Sequence, residues 1–511
     1  MNNSSISMKN DQLNKADLLL KGISTKKSSY WKKVQEIESL NVFHRAATGV
    51  PAYKNFLKKN GIKHEKVQTW SDFQQVPFID KKNYLSQYEL KDLLWNGNFN
   101  KPLVYTSTSG STGIPYYFTR SEELDWRCSV FMEMFMRQNF HHSKAQSTLV
   151  VVCFGMGVWI GGMITYKAFE LTAIRNNFPI SIITPGINKK EILNVLKELA
   201  PNYEQTIIAG YPPLVKDIID EAILMGIKVQ DLNIKVKFAA ESITEEFRNY
   251  ISRSLKMDNK YLNTVNVYGS AELGAMAAEN ATSILLKRLA LKNKRLFKDI
   301  FNSIDKTPTL AQYIPSLLNF ESVDGRLYIT SDSALPLIRY SIGDSGGVLS
   351  YDEFSKLAHS HGINIKVEAK KLGIEEQITE LPFVYVYERT DLSTTFYGLW
   401  IYPEWIKGSL LKGEVSKYLT GKFTMITRTD DKQNQILEIN LELQKGKTVN
   451  SRLKKLTLKN IVTGLRAHSS EYRELALHLN GKSLPHLNFW EAEHPLYFQP
   501  GIKQKWTQKV Q

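Results

Sequence analysis

Between residues 102 and 269 short apolar runs alternate with amphipathic stretches, and this alternation restricts the fold more than any other feature of the chain. "KPLVYT", "STLVVVCF", "QTIIAG", "IKVKFAA" and "TVNVYG" read as strands. Between them, "EELDWRCSVFMEMFMRQNF", "KKEILNVLKELA", "PPLVKDIIDEAILMG" and "TEEFRNYISRSL" carry apolar residues at helical spacing. The repeat predicts an α/β domain with mixed, largely parallel sheet flanked by helices. Open sheets of this type bind ligands at the carboxyl ends of their strands. Upstream, residues 26–95 read as helical around Trp31, Val34, Ile37, Phe43, Tyr53 and Phe56, with turns at "VPAY" and "VPFI". After about residue 320 the texture becomes antiparallel. "GRLYIT", "PFVYVYE", "FTMITRT", "ILEINLEL" and "HLNFWEA" read as strands, with helical stretches near 403–419 and 449–477. At 511 residues the chain exceeds a single core. The expected organisation is a disordered segment 1–15, an N-terminal domain 16–390 and a small mobile α+β domain 391–511.

Composition removes several alternatives. Hydrophobic residues make up 42% and charged residues 23%, the balance of a soluble globular protein. The most apolar run, "STLVVVCFGMGVWIGGMITYKAF", is broken by four glycines, so it reads as a buried strand and a glycine turn rather than a membrane span. The N-terminus, "MNNSSISMKNDQLNK", lacks the apolar core of a signal peptide. Two cysteines, Cys128 and Cys153, fit a reducing compartment and exclude a cysteine-built zinc site. A cytoplasmic location follows as the expectation. The formal net charge of +15 suits nucleic acid or an anionic small molecule. The basic residues are dispersed and interleave with no aromatic strand pattern, so nucleic acid is not the expected partner. The cluster "KRLALKNKRLFK" (287–298) reads as a solvated amphipathic helix inside a basic helical insertion, 281–316. His141, His142, His359 and His361 read as solvated loop residues rather than metal ligands.

Three strand-end loops carry the chemistry. "TSTSGSTGIP" follows "KPLVY", "YGSAELG" follows "TVNV", and "PLIRYSIGDSG" follows "GRLYITSDSA". Ser, Thr and Gly in a tight loop can aim N–H and O–H groups at phosphate oxygens. No lysine follows the glycines, so this is not a P-loop, and alone it fits a linker as well as a phosphate cradle. Glu272 could hold Mg²⁺, and Asp344 could accept both hydroxyls of a ribose. Each carboxylate alone also fits a helix cap or turn. In this order the three loops suggest one nucleotide site.

On these motifs the chain resembles the adenylate-forming, acyl-CoA synthetase-like superfamily, and within it the phenylacetate–CoA ligase family. "TSGSTGIP" is similar to the phosphate loop, "YGSAE" (268–272) to the aromatic-plus-glutamate motif and "LIRYSIGD" (337–344) to the ribose motif. "ERTDLSTTFYGLWIYPEWI" (388–406) resembles the hinge segment. "VPAYKNFLKKNGI", "DFQQVPFIDKKNYL", "EELDWRCSV" and "GMGVWIGGMITYKAFE" narrow the family, and the resemblance runs in order from about 50 to 406. It implies that Ser107, Ser109, Ser111 and Thr112 bind the ATP phosphates, with Gly110 and Gly113 allowing close approach. It implies that Tyr268 stacks on adenine, beside the backbones of Ala240, Glu241 and Ser242. Gly269, Ser270 and Ala271 complete the nucleotide motif. Glu272 would hold Mg²⁺, and Asp344 with Arg389 the ribose. Lys503, or else Lys505, would bridge the carboxylate and the α-phosphate. Asp391 would be the hinge and Gly398 the thiol channel. Phe154, Trp159, Ile160, Gly161, Tyr211 and Ala239 would line an apolar acyl pocket suited to an aryl or hydrophobic acid, with Ala271 contributing.

Departures qualify the picture. Ile114 stands where the phosphate loop usually has lysine. Glu388 replaces a glycine, Leu392 an acidic residue and Tyr397 a basic one, and the cysteine–histidine zinc set of some relatives is missing. The resemblance implies ATP-dependent activation of a small-molecule carboxylate to an acyl-adenylate with pyrophosphate release. Transfer would follow to coenzyme A or to the phosphopantetheine of an acyl or peptidyl carrier protein. Two alternatives stay open: transfer to an amine or hydroxyl in a specialised or capsular-polysaccharide pathway, or a non-catalytic nucleotide-binding relative. A homodimer is the assembly such relatives suggest.

Overall fold

The computed structural model describes residues 15–107, 116–138, 146–301, 307–387, 394–410, 413–479 and 481–498. The strands are β1 (Val104–Ser107), β2 (Tyr117–Arg120), β3 (Thr148–Cys153), β4 (Ile180–Ile183), β5 (Gln205–Gly210), β6 (Ile234–Ala239), β7 (Thr264–Ser270), β8 (Gly274–Glu279), β9 (Thr309–Gln312), β10 (Leu318–Val323), β11 (Arg326–Ser331), β12 (Leu337–Leu349), β13 (Phe383–Tyr387), β14 (Thr394–Phe396), β15 (Leu399–Ile401), β16 (Leu419–Thr429), β17 (Gln435–Leu443) and β18 (His486–Trp490). Eleven of them form one mixed sheet in the order β10-β11-β12-β13-β9-β8-β7-β6-β5-β3-β4.

The parallel pairings are those of β4, β3, β5, β6 and β7. These strands arise from the alternating segment of the sequence. Every residue of β3 and β5 is buried, as expected for parallel strands covered on both faces. From β7 onward the pairings are antiparallel. The intervening helices begin where their sequences provide starts. Pro212 occupies the first turn of Pro212–Leu224, Thr244 accepts from the Phe247 N–H at 3.1 Å, and Asn280 accepts from the Ser283 N–H at 3.1 Å. The helix Ile160–Asn176 ends on Asn177 in the left-handed region.

The segment 281–316 is only partly the solvated helix that its basic cluster suggests: Lys292, Lys294, Arg295 and Lys298 are exposed. Helix Ala281–Lys292 is mostly buried, and the segment ends by supplying β9, an interior strand between β8 and β13. Lys287 is 1% exposed because Glu279 and Glu245 face it, so charge pairing rather than solvent accounts for this basic residue. His361 lies 2.7 Å from the Asp299 carboxylate.

Toward the C-terminus β16, β17 and β18 form a separate sheet, β16/β17 antiparallel and β17/β18 parallel. The helices Pro403–Leu410, Ser451–His468 and Ser470–His478 accompany it. Among the described residues no helix is long and apolar enough to cross a membrane. Cys128 and Cys153 are buried and free. The expected disordered segment lies, apart from Lys15, outside the described residues.

Candidate nucleotide and acyl site

The carboxyl ends of four parallel strands open onto one region. Phe154 follows β3, Tyr211 follows β5, Ala240–Ser242 follow β6, and Ala271–Glu272 form the turn from β7 to β8. The loop read as a phosphate clamp spans the hairpin β1–β2, where Ser107 pairs with Tyr117. Ser109, Gly110, Ser111, Thr112, Gly113 and Ile114 lie outside the described residues, but the base of the loop is anchored to the same region. The Ser107 N–H donates to the Val158 carbonyl at 2.9 Å, and the Thr106 hydroxyl to that of Ala271 at 3.5 Å. At the exit of the loop, Tyr116 donates to the Leu85 carbonyl at 3.3 Å. Burial, with the nearby Glu272 carboxylate, pushes the Tyr116 phenol up to about 12.

Glu272 is 8% exposed. Burial works against its ionisation, yet the Lys81 ammonium 3.1 Å away outweighs burial and holds the carboxyl below its ordinary value. The Tyr340 hydroxyl lies 3.4 Å away. Lys81 reaches this point because its segment is pinned to β12. The Ile79 N–H donates to the Arg339 carbonyl at 3.2 Å, and the Ser341 N–H returns a bond to Ile79 at 2.8 Å. The buried Arg339 guanidinium also holds the Gln74 and Val76 carbonyls. Lys81 falls within a motif recognised in the sequence, but nothing there assigned it a role. It places a cation at the mouth of the hairpin whose loop lacks one at Ile114.

Tyr268 and Asp344, read separately in the sequence, meet: the Tyr268 hydroxyl donates to the Asp344 carboxylate. Asp344 is 9% exposed and sits on β12, which the antiparallel half of the sheet carries toward the end of β7. Beyond β6 the backbone turns sharply. Ala240 adopts φ 75°, a left-handed conformation uncommon for a residue with a Cβ. Such strain concentrates at functional sites. Ala240 and Ser242 are exposed, Gly269 is exposed, and Ser270 and Ala271 are half-buried.

The residues read as an acyl pocket are neighbours. The Phe154 and Tyr211 rings pack edge to face at 4.9 Å, and Gly161 lies against Phe154. Trp159 and Ile160 start the helix Ile160–Asn176, and Ala239 ends β6. A Cβ on Gly162 would stand 2.5 Å from the Gly155 carbonyl, so this helix approaches the β3 end closely only because residue 162 is glycine. This group of residues is not wholly apolar. Lys237 on β6 is 5% exposed, with its ammonium 4.4 Å from the Phe154 ring centroid. The sequence reading missed it.

Gly398 lies on the opposite wall. It forms with Tyr397 the two-residue turn of the hairpin β14–β15, both at positive φ (78° and 50°). A Cβ on Gly398 would stand 2.2 Å from the Tyr211 ring. Its N–H donates to the Glu241 carboxylate, which also accepts from Gln435 at 3.0 Å. Thus the Glu241 side chain serves the C-terminal unit, while its carbonyl accepts from Asn266 at 3.2 Å. Tyr397, which stands in place of a basic residue, faces inward. Its ring is buried and its hydroxyl donates to Asp217 at 2.9 Å, where Lys482 also pairs. Glu388, Arg389, Asp391, Leu392, Lys503 and Lys505 lie outside the described residues.

No family model and no curated protein matches the sequence. The chain is similar in structure to 2-hydroxyisobutyryl-CoA ligase in complex with 2-HIB-AMP and CoA in the thioesterification state. The TM-score is 0.60 at 14% identity, covering 95% of this chain and 91% of that one. Against the same ligase in the postadenylation state with 2-HIB-AMP the TM-score is 0.51 at 13% identity, with the same coverage. Against its open conformation with 2-HIB-AMP and CoA it is 0.51 at 14%, covering 94% and 91%. These likenesses show a shared fold: a large mixed sheet flanked by helices and a smaller C-terminal β unit.

Proposed function

We propose that this chain activates a carboxylic acid with ATP, releases pyrophosphate, and passes the acyl group from the adenylate to an acceptor, with a thiol favoured. The observation that carries this reading is that Tyr268 meets Asp344 and Glu272 meets Lys81 at and just beyond β7, one of the parallel strands whose carboxyl ends also bear Phe154 and Tyr211. A ribose-binding carboxylate, a phosphate loop and an acid pocket in this order leave the α-phosphate next to the substrate carboxylate.

Each residue then has a task. Asp344, oriented by Tyr268, accepts from the ribose hydroxyls, and Arg389 assists. Tyr268 offers its ring to adenine, and Ala240, Glu241 and Ser242 border the base with their backbone. Ser107, Ser109, Ser111 and Thr112 donate to the β- and γ-phosphates. Lys81 supplies the cation that Ile114 does not. Glu272 fits a magnesium site held mainly by phosphate oxygens, since it presents one buried carboxylate and no second acidic side chain is required. When bound, the ion would neutralise phosphate charge. Lys503, or Lys505, would hold the attacking carboxylate oxygen against the α-phosphate.

Transfer uses the other wall of the site. With 391–511 as a mobile unit hinged at Asp391, the arrangement described here sets Gly398 against Tyr211, leaving backbone rather than side chain beside the adenylate. The higher TM-score against the thioesterification state of the similar ligase supports assigning this arrangement to the transfer step. A slender pantetheine arm suits such a wall. Coenzyme A and a carrier-protein phosphopantetheine share that arm.

Pyrophosphate release from purified protein, ATP and magnesium across a panel of acids tests the reading. Release that depends on the acid is expected. ATP bound tightly with no release for any acid would favour a nucleotide-binding protein without turnover.

A further inference from the structure

β6 carries a charge where its neighbours are apolar. Lys235, Lys237 and Ala239 share one face of the strand, and that face meets the helix Ile160–Asn176. A strand rises about 3.3 Å per residue, so Lys237 lies about 7 Å beneath Ala239, below the strand-end site. Its ammonium donates to the Thr165 hydroxyl at 3.0 Å and lies over the Phe154 ring. Thr165 is its one hydrogen-bond acceptor among the described residues. An ammonium has three donors; one hydroxyl and a ring face meet it, and no anionic oxygen does among the described residues.

The environment gives no carboxylate in compensation. The charges that act on Cys128, behind Lys237, are those of Asp125, Arg120 and Lys237. Asp125 is already paired with Arg120 at 2.7 Å. Burial pushes the Lys237 ammonium down to about 7, with only the Cys128 thiol opposing that shift. A buried cation lacking a partner is costly, and an apolar side chain of the same length would fill the space without that cost. Lys235, two residues back on the same face, shows the structural alternative: it donates to Asn263 at 2.9 Å and has Asp258 at 3.8 Å.

We infer that the acid this site takes carries a second anionic oxygen group at its far end, a distal carboxylate in the first instance, and that Lys237 with Thr165 reads it. The inference rests on the ligase reading and specifies its substrate class. It revises the expectation of an aryl or purely hydrophobic acid: Phe154, Tyr211 and Ala239 would form the walls around the chain of the substrate, and Lys237 the polar floor. The first carboxyl reacts at the strand ends, while the second replaces the partner that the protein omits.

The test compares matched acids of equal length, hexanoate with adipate and octanoate with suberate, by pyrophosphate release. Wild type is expected to favour the dicarboxylate about tenfold or more in kcat/KM, because a site built for a polar group rejects the analogue that lacks it. Lys237→Met should remove or reverse that preference and melt no lower than wild type. Lys237→Arg, which retains a cation, should keep part of it. Release with the monocarboxylates and no dicarboxylate preference in wild type overturns this inference and leaves the ligase reading standing. Absence of release with every acid overturns both. The wild-type comparison decides the matter even if the variants fail to fold.

Discussion

The two ends of the large sheet treat buried lysine in opposite ways. At the amino end of β7, where Glu279 of β8 pairs with Asn266, Lys287 is enclosed by Glu279 at 2.8 Å, the Ile243 carbonyl at 3.1 Å and Glu245 at 3.6 Å. Arg248 and Arg288 join the same two carboxylates. Burial works against the ionisation of Glu245, but Arg248, Lys287 and Arg288 outweigh it and hold its carboxyl below the ordinary value. At the carboxyl end of β6, Lys237 meets one hydroxyl and an aromatic face. The first arrangement satisfies its charges and fixes helix Ala281–Lys292 to the sheet. The second leaves the ammonium without an anionic partner among the described residues. Near the carboxyl end Ala240 and Tyr397 adopt positive φ, a conformation that a side chain disfavours. Satisfied charge marks support, and unsatisfied charge beside a strained backbone marks a place where a ligand completes the structure.

Substitution can break this contrast at either end. The largest effect is expected from Glu279→Ala, which leaves Arg248 and Lys287 buried against one carboxylate. Stability should fall by about 3–5 kcal/mol in denaturant unfolding. A loss well under 1 kcal/mol would show that the cluster is not structural support. At the other end, Glu272→Gln should lower acid-dependent pyrophosphate release by about 100- to 1000-fold with little change in melting temperature, since its partner Lys81 is half-exposed. Equal losses of activity and stability would place Glu272 with the supporting cluster.

Gly398→Ala sharpens the division within the site. Its Cβ would meet the Tyr211 ring in the arrangement assigned to transfer, so thioester formation should fall by about 100-fold while pyrophosphate release persists. Loss of both half-reactions together would contradict that assignment. A further effect lies in the pH dependence of stability. The folded Lys237 ammonium titrates at about 7, below its ordinary 10.5. Between those values the unfolded chain holds a proton that the folded chain has shed, so this lysine makes stability rise with pH across that window. Below about 7 its full cost applies. Lys237→Met removes the cost, so the variant should gain most over wild type at pH 6, and the gap should narrow toward pH 10. A gap independent of pH would mean that the lysine does not titrate in that range.

Much of the architecture was legible because it follows from periodicity. The runs "STLVVVCF" and "QTIIAG" became the fully buried β3 and β5, whereas "PLIRYSIGDSG", read as a strand-end loop, is the body of strand β12. The charged residues were less legible, for one physical reason. "IKVKF" alternates like a strand with one face in water, and "KRLALKNKRLFK" alternates like a surface helix. The first is buried as a central parallel strand covered on both faces; in the second Lys287 is buried against carboxylates distant in sequence, while Lys292, Lys294, Arg295 and Lys298 stay exposed as the pattern suggests. Local pattern reports polarity and not the partner that neutralises it. Lys81 escaped notice similarly: its partner, Glu272, is 191 residues away, the difference between the two positions.

The account depends most on the chemistry at the α-phosphate. Incubating the protein with ATP, magnesium and the acid panel, without a thiol, and analysing the bound nucleotide by mass spectrometry addresses it directly. The account predicts an acyl-adenylate with stoichiometric pyrophosphate, lost in Glu272→Gln and formed best with an acid carrying a distal carboxylate. Formation of ADP, or the absence of any adenylate with every acid tested, would contradict it.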